Sequence, residues 1–212
     1  MATFQVQIED MVGIVGSSAD TSSDTTAITS WLTDGAKEVI NVMPPNLLAL
    51  CAAEQTLTPR AVGSESTAAT LNTGKVFNVR RSDGTIDQPC RLVSSRVKGR
   101  VSDSDDMMYA TATDPVYYIE SNYLNILPSA STAVGKYSEV QYPAVTYGLD
   151  AIATFPDEAE YLVVLYAAIK AVERIVSDNI RVDEDVELAN AKKDQYTWLQ
   201  NQYMTGIKAL AG

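Results

Sequence analysis

The stretch from Thr154 to Leu210 constrains the fold most. It opens Phe155-Pro-Asp-Glu-Ala-Glu160 and continues as the apolar run Tyr161-Leu-Val-Val-Leu-Tyr-Ala-Ala-Ile169. It breaks near Ser177-Asp-Asn179 and restarts at Asp183-Glu-Asp185. This pattern predicts two long helices in a hairpin. Pro156 suits a first turn, where the N–H groups have no helical partner. Asp157, Glu158 and Glu160 place negative charge at the positive end of the helix dipole. Asp183 repeats the device as a cap, followed by Glu184 and Asp185.

From Tyr161 to Val172 the first of these helices carries a single charge, Lys170. A surface helix is apolar on one stripe. Here Leu162, Val163, Tyr166 and Ile169 form one stripe, while Val164, Leu165, Ala168 and Val172 form a second on the opposite side. A helix apolar all round is covered all round. The run is far shorter than the ~20 residues a bilayer span needs, so the cover is protein. Two readings stand. The helix is the centre of a small core, or one stripe meets its own fold and the other a neighbouring subunit. In the second reading Val164, Leu165, Ala168 and Val172 are the candidate subunit interface.

Going back to the start of the chain, residues 4–15 are apolar at Phe4, Ile8, Met11, Val12 and Val15, near helical spacing. Gly13-Ile-Val-Gly16 lacks the Gly-Lys-Ser/Thr ending of a phosphate loop. Ser17 to Thr26 reads as a polar linker, with Asp24 as the cap of a helix striped by Ile28, Trp31, Leu32, Gly35, Val39, Val42 and Met43. Pro44-Pro45 stops it, and Asn46 to Glu54 reads as a short third helix. From Gln55 to Gly148, glycine, proline, serine and β-branched residues dominate. Lys75–Arg81 and Ile86–Val93 read as a hairpin through Asp83-Gly84. Val116–Glu120 and Tyr123–Leu127 read as a second hairpin through Ser121-Asn122. Ser94 to Thr113 is a polar excursion. Lys136 to Val145 is a last strand, with Pro143 marking an edge or a strand end. The expected architecture is α+β, with a long C-terminal helical hairpin packed on N-terminal helices and a β-rich insertion. The expected divisions are residues 1–54, 55–149, 150–199 and a C-terminal arm, 200–212.

The chain of 212 residues contains no histidine, which removes the usual general base and the commonest metal ligand. Cys51 and Cys90 stand alone, as expected of two free thiols in a reducing compartment. Asp103-Ser-Asp105-Asp106 lacks the glycine and distal glutamate of a calcium loop, so a solvated loop is expected. Capping explains Asp157, Glu158 and Glu160 without invoking catalysis. No catalytic set, cofactor site or metal site is expected, and Met1-Ala-Thr-Phe4 has no secretory leader pattern. The net charge is −11. Residues 75–100 run against it, with seven bases (Lys75, Arg80, Arg81, Arg91, Arg96, Lys98, Arg100) and two acids. They are either strand ends whose charges face water or a basic patch for nucleic acid or an acidic partner.

Three stretches together resemble virion proteins of tailed phages, particularly marine ones, in the head-to-tail connector class. They are Trp31–Pro44, Tyr109–Glu120 and Phe155–Lys170, the last being the most specific. The resemblance implies a structural virion protein made in the host cytoplasm. It implies a homo-oligomeric ring, commonly a dodecamer, between the portal protein and a downstream tail or nozzle protein. DNA would pass through it without specific binding, and no membrane is involved. A tail-terminator or tail-tube component is the nearest alternative. A nucleic-acid-binding module using residues 75–100 is the alternative from another class, and a hydrolase is the most distant.

The C-terminus continues the apolar spacing through Tyr203, Ile207 and Leu210. A helix from Asp183 to Met204 spans ~33 Å, longer than the preceding helix is expected to cover. Gly206 allows a bend. The expectation is an arm that projects from its own domain and docks on the portal.

Overall fold

A computed structural model describes residues 2–13, 21–57, 69–82, 87–128, 134–178 and 186–211. The class is α+β with a C-terminal helical hairpin. The chain divides into two compact units. A helical unit comprises Met1–Cys51 and Tyr142–Gly212, and a β unit comprises Ala52–Gln141.

The helical unit contains α1 (Phe4–Val12), α2 (Thr21–Val42), α3 (Pro45–Leu48), α5 (Asp157–Asp178) and α6 (Val186–Ala211). Helix α5 is its axis and packs against α1, α2 and α6. Helix α2 begins before the expected cap, so Asp24 lies inside it. It ends at Val42, ahead of the two prolines, as expected. The expected third helix is shorter than Asn46–Glu54. Four residues of α3 and a 3-10 turn at Ala49–Cys51 lead directly into a strand at Ala52. Residues 142–149 belong with the helices rather than the insertion. Phe4 N–H donates to Leu149 O (2.7 Å), Gln5 N–H to Tyr147 O (3.0 Å), and Thr33 Oγ1 to Val145 O (3.2 Å). The expected cap at Asp183, the turn at Asp83-Gly84 and the Gly13–Gly16 segment beyond Gly13 lie outside the described residues.

The β unit holds β1 (Ala52–Leu57), β2 (Ala69–Thr70), β3 (Val76–Ser82), β4 (Asp87–Pro89), β5 (Arg91–Leu92), the short α4 (Lys98–Ser102), β6 (Val116–Glu120), β7 (Tyr123–Leu127) and β8 (Val134–Val140). One sheet has the order β1-β8-β3-β4 and the other β2-β7-β6-β5. The β6–β7 hairpin turns through Ser121 (φ 51°) and Asn122 (φ 66°), the two left-handed positions of a type I′ turn. The last strand is central in its sheet, between β1 and β3, and Pro143 lies past its end. The expected return strand from Ile86 to Val93 is split at Cys90. β4 pairs with β3, while β5 pairs parallel with β6 in the other sheet.

Alternation sorts the β6–β7 side chains into two cores. Leu124 and Ile126 pack with Leu57, Val79 and Tyr137 of the first sheet. Val116, Tyr118 and Leu127 face the other way, onto Val93, Val101 and Ala110. The polar excursion is therefore a layer with its own apolar floor. Glu139 is buried at an inward position of β8, where its carboxylate accepts from Thr73 N–H (2.7 Å) and Gly74 N–H (3.1 Å). These bonds hold the turn that leads into β3.

Candidate functional site

The two apolar stripes of α5 are both covered within one chain. Val164 is 1% exposed, and Leu165, Ala168 and Val172 are fully buried, as are Val163 and Ala167 on the other flank. The subunit-interface reading of Val164, Leu165, Ala168 and Val172 is therefore corrected. Three helices of the same unit surround α5, which leaves the second stripe no open side.

The C-terminal arm is corrected as well. Helix α6 continues without a break through Gly206 to Ala211. Along α5 it is antiparallel and in a fixed register. Tyr196 Oη donates to Glu173 Oε1 (3.2 Å), Tyr203 faces Tyr166 with ring centroids 6.0 Å apart, and Gly206 lies against Leu162. Tyr196 and Tyr203 are seven residues apart, as are Glu173 and Tyr166, the repeat of a coiled-coil seam. Tyr203 is buried, and Ile207 and Leu210 are half-buried. The register also sets the far end of α6 beside the start of α5, so no length is left to project. At the other end, Lys192 Nζ donates to Val12 O (2.6 Å) and Gln195 Nε2 to Met11 O. These bonds satisfy two C-terminal carbonyls of α1.

Tyr166 is the pivot of this packing. It lies between Tyr203 and Gly35 of α2, where an added Cβ would stand 2.9 Å from its ring. Burial pushes the Tyr203 hydroxyl pKa up, and the negative charge of Glu38 adds to the shift.

The basic stretch is drawn together with acids from other parts of the β unit. Arg80 meets Glu54 (2.6 Å) and Asp87 (3.8 Å), Arg91 meets Asp114 (3.1 Å), Lys98 meets Glu120 (3.6 Å), and Arg100 meets Asp106 (2.9 Å). Arg81 is buried and donates to Pro128 O (3.0 Å). Arg96 is exposed beside the Ser94 cap. Among the described residues, only Arg96 keeps the character of the patch expected for Arg80, Arg81, Arg91, Arg96, Lys98 and Arg100. Across the unit, nine bases face ten acids, a net −1. The helical unit has seven bases and seventeen acids, a net −10. The charge asymmetry lies between the two units.

The start of α5 borders an open groove of about 630 Å³, lined by Leu50, Ile152 and Phe155 with Asp157 and Glu158. Glu160 accepts from Ile152 N–H (2.5 Å) and so braces the approach to the helix. Asp103 and Asp106 are likewise used locally. Asp103 accepts from Asp105 N–H (3.1 Å), and Arg100 holds Asp106 below the usual carboxylate range. Among the described residues no group of three or more His, Cys, Asp or Glu side chains is placed to hold a metal ion, and no helix is long and apolar enough to cross a membrane.

Sequence reasoning missed Glu139, Gly35 and Gly206 as structural determinants. Glu139 left a signal, since it interrupts the inward face set by Gly135 and Tyr137. Gly35 left one in its place on the apolar stripe of α2, whereas Gly206 left none, because a glycine in a helical pattern reads first as a weak point. No protein-family model matches the chain, and no curated protein matches it.

Proposed function

We propose that the protein is a structural virion component that forms a ring between the portal and the tail of a tailed phage. In this role it presents docking surfaces above and below and lines the DNA path. The observation that carries the reading is the resemblance of Trp31–Pro44, Tyr109–Glu120 and Phe155–Lys170 to head-to-tail connectors. The order of elements supports it: N-terminal helices, a β insertion, then a long hairpin opening on Pro156 and its acids. The charge distribution supports it too. A unit with a net charge of −10 repels the phosphate backbone, so DNA slides past without adhering. Work of this kind needs no catalytic set and no cofactor.

The rival reading as a nucleic-acid module rests on the basic stretch. The ion pairs of Arg80, Arg91, Lys98 and Arg100 weigh against it, because cations held by acids release few counterions from DNA. A tail-terminator or tube component shares the assembly logic and differs in its neighbours. Co-sedimentation with the portal of the same phage tests the proposal. Joint migration with portal, without added DNA, supports it. Migration apart from portal, with salt-sensitive DNA binding instead, rejects it.

A further inference from the structure

Sheet edges with unpaired N–H and C=O groups attract other strands, and proteins protect them with short strands, prolines or charges. Among the described residues the two sheets have four edge strands, and three of them are protected in this way. β2 and β5 have two residues each, and β4 has three, ending in Pro89, which has no N–H to offer. β1 is different. It is a six-residue edge strand with no proline and no lysine.

The ladder shows which of its groups are open. Val140 N–H donates to Lys75 O (3.1 Å), on the β3 side of β8. Antiparallel alternation then directs Glu139, Tyr137 and Gly135 toward Ala53, Gln55 and Leu57. The N–H and C=O of Ala52, Glu54 and Thr56 point outward, and among the described residues nothing takes them. The single charge on β1 does not guard the edge. Glu54 leans inward over the sheet, with Oε2 on Arg80 (2.6 Å) and Oε1 3.9 Å from Lys136.

We infer that β1 pairs antiparallel with β1 of a second copy of this chain about a two-fold axis. The strand is neutral at its edge, free of proline and self-complementary, so it is itself a fitting occupant. Outward groups must meet outward groups, so Glu54 faces Ala52, Glu54 or Thr56 of the partner subunit. Like charges directly opposite are unfavourable. Charge excludes Glu54 against Glu54, and the longer ladder selects Thr56 over Ala52: with Gln55 opposite Gln55 of the partner subunit the pairing runs from Ala53 to Leu57, whereas Ala52 opposite Glu54 would leave the second half of β1 unpaired. Each pair of Glu54 with Thr56 exchanges two bonds, giving about four main-chain hydrogen bonds. So small a contact falls below the ~1,200 Å² of stable interfaces, and the pair is a weak, concentration-dependent dimer. A two-fold contact closes on itself and is not the head-to-tail contact of a ring. The inference therefore describes the free protein and stands or falls apart from the proposed function.

Sedimentation equilibrium of the free protein, from low micromolar to millimolar concentration, tests it. The mass should rise from 22.9 kDa toward twice that value. Thr56→Glu sets a carboxylate against Glu54 of the partner subunit on both sides of the axis, while within the chain it faces Lys136. Its dimer dissociation constant should rise ~tenfold, with a melting temperature equal to or above that of the parent. Thr56→Lys should move both quantities the other way. A parent protein that stays monomeric at millimolar concentration overturns the inference. So does association that Thr56→Glu leaves unchanged, whatever its final mass.

Discussion

Gly206 on α6 sits so close to Leu162 on α5 that a single added methyl group would overlap the leucine side chain. The two helices approach at this point because one of them has no side chain there. Leu162 is itself buried, so it has little room to give way.

Gly206→Ala therefore sets two effects against each other. Alanine favours a helix over glycine by ~1 kcal/mol. Overpacking a closed seam costs ~1–3 kcal/mol. The expected net result is a loss of ~1 kcal/mol in denaturant unfolding. Gly99→Ala in α4 has open space around the new methyl and should give a gain of ~0.5–1 kcal/mol. A gain at Gly206 would show that the seam is loose.

Val164→Asp and Leu162→Asp should behave alike. Both sites are buried on opposite flanks of α5, and each aspartate would be an unpaired carboxylate in the core. Each should cost ~3 kcal/mol or more, read as loss of the folded signal in circular dichroism. A folded, monomeric Val164→Asp protein would return the second stripe to the role of interface.

Deleting Ile207–Gly212 should lower stability by ~2 kcal/mol, since two half-buried apolar side chains lose their cover. Thermal melting of the isolated truncated protein checks this. An unchanged melting temperature would revive the projecting arm.

The cysteines link the fold to pH. Burial pushes the Cys90 thiol from its ordinary value of 9.0 to about 12, with the Arg81 guanidinium pulling the other way. Burial also raises Cys51. The folded state thus favours the neutral thiol. The stability from Cys90 is fully present below pH 9 and is lost as pH rises from 9 toward 12. A thiol reagent at pH 8 should label neither residue in the folded protein and both after denaturation. Fast labelling of Cys90 in the folded state would contradict the shift.

How much of this was legible in the sequence follows from how local each cause is. The hairpin through Ser121-Asn122 was legible because its turn chemistry and flanking alternation sit within a dozen residues. The start of α5 was legible because Pro156 and its acids act on the adjacent turn. Which surface covers Val164 was not, because α1 and α2 approach α5 from the opposite end of the chain. The arm was misread for a related reason. Helix length was counted along the sequence, whereas the pairing of Gly206 with Leu162 shows that α6 ends where α5 begins. The basic stretch looked like a patch because its neutralising acids, Glu54, Asp114 and Glu120, come from other strands and loops.

Electron microscopy of the purified portal incubated with this protein tests the connector reading most directly. A closed ring of copies seated on the tail-facing end of the portal, with an open central channel, is the expected class average. Portal particles with that face bare, under conditions where the protein is folded and in excess, would contradict it.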